Sequence, residues 1–129
     1  MNRHKRSLVL FLAVALTLSG CAARQIHPGA VNKFDSDAYD ALLVTDSIIK
    51  STRTDLENGV FPASIAPKVK DAINYVITAY NAANTSYRVY HAAVSTGTAT
   101  AQQQAAVSDG INKMASATSA LTQAKAGKP

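Results

Sequence analysis

The chain has 129 residues, 47% of them hydrophobic, with one cysteine, no tryptophan and a formal net charge of +5. Three of the 13 basic residues fall in the first six positions, so the rest of the chain holds ten against 8 acids, a net charge of +2. A single thiol excludes an internal disulfide and a Cys-based metal site. Basic residues that stand singly, or as Lys68 and Lys70, form no patch for nucleic acid, so no nucleic-acid partner is expected.

Residues 1–6 carry Arg3, Lys5 and Arg6 with no acid, and residues 8–18 are apolar except for Thr17. A basic segment followed by a short apolar one is the layout of a secretory signal. The run over 7–20 falls short of the roughly 20 apolar residues a transmembrane helix needs. It ends in Leu18-Ser19-Gly20-Cys21. This tetrapeptide resembles the lipobox of bacterial lipoproteins, a Leu and two small residues leading into a Cys. The resemblance covers the first 21 positions only. It implies removal of residues 1–20 as a signal peptide by cleavage between Gly20 and Cys21, a diacylglyceryl thioether on Cys21 and an acyl group on its new amino terminus. The implied partner is membrane lipid, held covalently. Ala22, where an Asp would favour the inner membrane, points to the outer membrane facing the periplasm if the envelope is Gram-negative. The competing reading is an uncleaved signal anchor.

Residues 21–34 read as the lipidated Cys and a flexible tether, broken by the turn signal His27-Pro28-Gly29. Twelve tether residues reach at most roughly 40 Å at about 3.3 Å each. A three-helix region is expected over 35–126. The first helix is expected over 36–58, capped by Asp35 or Ser36, with Asp37 and Asp40 at the positive end of its dipole and Phe34 stapled from outside. Ala38, Leu42, Thr45, Ile49, Thr52 and Leu56 fall on one face, and Asn58-Gly59 closes the helix.

The second helix is expected over 64–95, with Ser64 as cap and Pro67 in the first turn, where its missing N–H costs little. Val69, Ile73, Val76, Tyr80, Ala83, Tyr87, Tyr90 and Val94 alternate steps of four and three, a heptad seam. A row of small residues, Ala72, Ala79, Ser86 and Ala93, runs beside it. The third helix is expected over 101–125, opened by a Thr100/Gln103 capping box. Val107, Ile111, Met114, Thr118 and Leu121 form its seam, and Gly110, Ala117 and Ala124 a small row. A turn at Asp109-Gly110 that splits this helix is the alternative. Residues 127–129 read as a frayed tail. No stretch reads as a strand, so short links between matching seams predict an all-α, up-down-up antiparallel three-helix bundle.

Chemistry-bearing residues are sparse. His91 reads as a half-buried boundary residue or, alternatively, as a ligand or base; no His, Cys or carboxylate lies three or four positions away to complete a metal pair. Asp35, Asp37 and Asp40 read as helix-capping acids rather than a calcium loop. Asp55 and Glu57 point in different directions on a helix and make no acid/base pair. No catalytic residue, metal site or cofactor is expected. Tyr75, Tyr87 and Tyr90 all lie on the second helix, and with His91 they are the candidate contact surface. The expected function is a non-enzymatic, lipid-anchored binding or structural module of the cell envelope with a protein or cell-wall partner. The alternatives are a ligand carrier or small enzyme using a pocket at Tyr87, Tyr90 and His91, or self-association through the small row of the second helix, as in a phage lysis-like lipoprotein.

Overall fold

The computed structural model describes residues 26–127. The apolar leader, Gly20 and Cys21 lie outside the described residues, as do 128–129. Three helices follow one another: α1, Lys33–Glu57; α2, Ala66–Ser95; and α3, Ala101–Lys125. There is no strand among the described residues, and no helix among them is long and apolar enough to cross a membrane. Contacts fix the topology. Asp35 near the start of α1 meets His91 near the end of α2, and Gly110 of α3 meets Ala83 of α2. Lys125 at the end of α3 lies 3.9 Å from Asp55 at the end of α1. The chain is therefore an up-down-up three-helix bundle.

The seams bury as their spacing dictates. Ile49, Val69, Ile73, Val76, Ala117 and Leu121 form the core toward the α1–α2 link. Leu42, Ala83 and Met114 fill the middle, and Ala38, Tyr90 and Val107 the other end. The links are short because the helix ends are closed locally. At Gly59 and Gly97 positive φ angles of 67° and 72° let the following N–H groups turn back to Asp55 and Ala93, the Schellman arrangement. α3 opens with the expected box, Gln103 N–H donating to Thr100 Oγ1 and Thr100 N–H to Gln103 Oε1.

Three expectations are corrected. First, α1 starts at Lys33 with Asn32 as its cap: Asn32 Oδ1 accepts the Asp35 N–H at 2.9 Å. Asp35 and Ser36 are therefore inside the helix and buried, and Phe34 is a helical residue packed edge-on against Tyr90 at 5.1 Å. Asn competes with Asp and Ser as a cap, and the local signal alone does not choose between them. Second, the far part of the tether is not free. The turn at 27–30 forms, but residues 27–32 lie bonded against the bundle. Third, α2 starts at Ala66 without a side-chain cap; Pro62 C=O takes the N–H groups of both Ile65 and Ala66, which leaves Ser64 no capping role. The third helix runs unbroken through Asp109-Gly110 as expected, without the alternative turn.

Gly110 is buried at the crossing of α2 and α3, where a Cβ built on it would lie 2.9 Å from Ala83 Cα. The small row of α3 therefore does face α2, but the residue opposite Gly110 is a seam alanine rather than a member of the α2 row. Ala72 and Ala79 of that row pack against the core of their own bundle.

Candidate functional site

Where the first turn of α1 meets the last turns of α2, polar groups from three segments converge on one carboxylate. The α1 seam, run back three positions from Ala38, lands on Asp35, so this acid is buried, at 0% exposure. Its Oδ2 accepts the backbone N–H of Val31 at 2.8 Å. This is a capping box shifted by one residue, the carboxylate reaching past the cap to the residue before it. His91 reaches it from α2, with Nδ1 at 2.9 Å from Oδ2 and 3.0 Å from Oδ1. An ionised carboxylate only accepts, so Nδ1 carries the hydrogen and Nε2 is the nitrogen left for a proton or a ligand.

Aromatic rings shield this centre. The Tyr87 ring stacks on the His91 ring at 5.7 Å and 27°, Tyr39 lies 6.1 Å from Tyr87, and His27 lies 4.3 Å from Tyr39. Asn32 Nδ2 donates to the Tyr90 hydroxyl at 3.2 Å. Burial first, and then the charge of Asp35 and a hydrogen bond to it, push the Tyr87 hydroxyl up to about 12. Folding thus raises this pKa above the usual value of about 10, so the native state holds the proton more tightly than the unfolded chain. Its contribution to stability is complete below pH 10 and is lost as pH rises through about 12. A spectrophotometric titration of the native protein should show a tyrosine step near pH 12 that is missing in Tyr87→Phe.

The four residues expected to form a contact surface are not together. Tyr87 and His91 are neighbours and half-buried, Tyr90 is buried in the core, and Tyr75 is exposed farther along α2. The residues missed are Asp35, Tyr39, Asn32 and His27. Asp35 reads locally as a capping acid, yet its position on the seam is the available signal.

A carboxylate-oriented imidazole is half of an acid/base apparatus. Ser95 Oγ, one helical turn beyond His91, donates to the His91 carbonyl rather than to its ring. Among the described residues no three His, Cys, Asp or Glu are placed to hold a metal ion. Tyr90 packs in the core against Phe34, Ala38 and Val107. A groove of about 760 Å³ runs between α1 and α3, over Ala41, Thr45, Ile111 and Met114. No protein family, curated protein or solved structure matches the chain.

Proposed function

We propose that the protein is a lipid-anchored lipoprotein of the bacterial cell envelope, whose three-helix bundle is a non-enzymatic binding or structural module. The observation that carries this reading is Leu18-Ser19-Gly20-Cys21 at the end of a basic and then apolar leader. The thioether on Cys21, together with an acylated amino terminus, gives two or three chains, which hold a protein where one chain gives only marginal, reversible binding. Membrane attachment then needs no spanning helix. Ala22 favours the outer membrane of a Gram-negative envelope, with the bundle in the periplasm and a protein or cell-wall partner as its target.

The Asp35–His91 pair is the feature a small enzyme or ligand carrier would be built on. The bundle reading is favoured because that pair, bonded to Val31 and shielded by Tyr87, serves to close one end of the fold. Growth with a radioactive fatty acid tests the proposal. Label should enter the wild-type protein and be lost in Cys21→Ser; an unlabelled wild-type protein, or a labelled variant, would refute it.

A further inference from the structure

Cys21 stands close to a part of the chain that is fixed to the bundle. His27 N–H donates to Ser36 Oγ at 2.7 Å, Val31 N–H to Asp35 Oδ2 at 2.8 Å, and Asn32 Nδ2 to the Tyr90 hydroxyl at 3.2 Å. Residues 27–32 therefore form a strap that moves with the helices. Only residues 22–26 separate it from Cys21, and five residues span at most roughly 17 Å at about 3.3 Å each. The twelve-residue leash that the sequence suggested is reduced to less than half.

The strap also carries two exposed apolar side chains. Ile26 is 53% exposed and Val31 50%. From His27, next in the chain to Ile26, a run of half-buried rings continues through Tyr39 to Tyr87, each an apolar body with a polar tip. Such side chains are favoured at the boundary between hydrocarbon and water. The opposite end of the bundle, at the link after Gly59, is remote: α2 alone, at 30 residues, is about 45 Å long. Val60 sits at that end and is 61% exposed.

We infer that the strap end is a membrane-docking surface. Its occupant is the lipid layer that holds Cys21, with Ile26 and Val31 entering the interface and the bundle oriented so that the α1–α2 link is the part presented to a partner. This rests on the lipid anchor proposed above. A short leash supplies the argument for lipid over a second copy or a partner helix, since it keeps this one patch beside the bilayer at all times.

The chain has no tryptophan, so a single introduced one is a clean reporter. Val31→Trp and Val60→Trp would each be made in the full, lipidated protein and placed in vesicles of phosphatidylethanolamine and phosphatidylglycerol containing brominated lipid. The reporter at position 31 should be quenched several-fold more than that at position 60, with its emission shifted to the blue. Equal quenching at the two positions, in protein that floats with the vesicles, overturns the docking surface while leaving the anchor intact. Protein that does not float with the vesicles overturns the anchor and the docking surface together. Ile26→Trp serves as a second reporter at the same end should the substitution at position 31 disturb the strap.

Discussion

Replacing Asp35 with alanine should lower the stability of the bundle by about 3 kcal/mol, the cost of removing a buried hydrogen-bonded carboxylate from its partners. The carboxylate is fully buried and accepts from Val31 N–H and from His91 Nδ1, so its loss leaves two donors without their partner. His91 is partly exposed, with 37% of its side chain open, and can recover water, which keeps the loss below the sum of its bonds. His91→Ala should cost a similar amount for a different reason, because it strands a buried negative charge. The double variant should cost less than the two single losses added, with a coupling of about 1–3 kcal/mol. Asp35→Asn separates the two parts, since it can still accept from Val31 while giving up the charge. Urea unfolding with an unchanged slope is the measurement. A loss for Asp35→Ala within about 0.5 kcal/mol, the range of an ordinary surface change, would show that this centre does not hold the end of the bundle.

Gly110 is the second position where one substitution should have a large effect. On helix propensity alone, Gly110→Ala should stabilise α3 by about 1 kcal/mol. Packing opposes this, because the new Cβ would lie 2.9 Å from Ala83 Cα and 3.1 Å from Ala83 Cβ. The nearer contact is backbone, so no rotamer change relieves it and α2 and α3 must move apart. Overpacking of this kind costs about 1–3 kcal/mol, and the prediction is a net loss for Ala and a larger one for Val, read as a fall in thermal midpoint. Ala83→Gly should rescue Gly110→Ala only in part, since it removes the 3.1 Å contact and leaves the 2.9 Å one. A net gain for Gly110→Ala would mean that the two helices yield cheaply.

These two sites differ in how far they could be read from the residues alone. The role of Gly110 was legible because the 4-3 spacing of α3 places it in a row with Ala117 and Ala124; what the row could not say was that Ala83 stands opposite. The heptad run of α2 and the Thr100/Gln103 box were equally legible, being local and periodic. Asp35 was not, because the rule that puts acids at helix starts gave a sufficient local reason for it. Its actual partner, His91, is 56 positions away, and no spacing rule joins residues that far apart. The docking of residues 27–32 was hidden for the same reason: a turn signal marks where a chain bends and says nothing about what the bend rests on.

Docking of the strap would give the proposed lipid anchor a structural consequence. A domain on a long leash could face any direction, whereas a strap held at Ser36 and Asp35 would, with the proposed anchor, turn one end of the bundle toward the lipid. The variants at Asp35 therefore bear on orientation as well as on stability.

The proposed location rests on Cys21, and its most direct test is the mass of the amino-terminal peptide from protein extracted with detergent from membranes. The proposed anchor predicts a peptide that begins at Cys21 and carries a diacylglyceryl group on its thiol, with a further acyl chain on its amino group if the terminus is acylated. A peptide that retains residues 1–20, or a Cys21 with a free thiol, would contradict it.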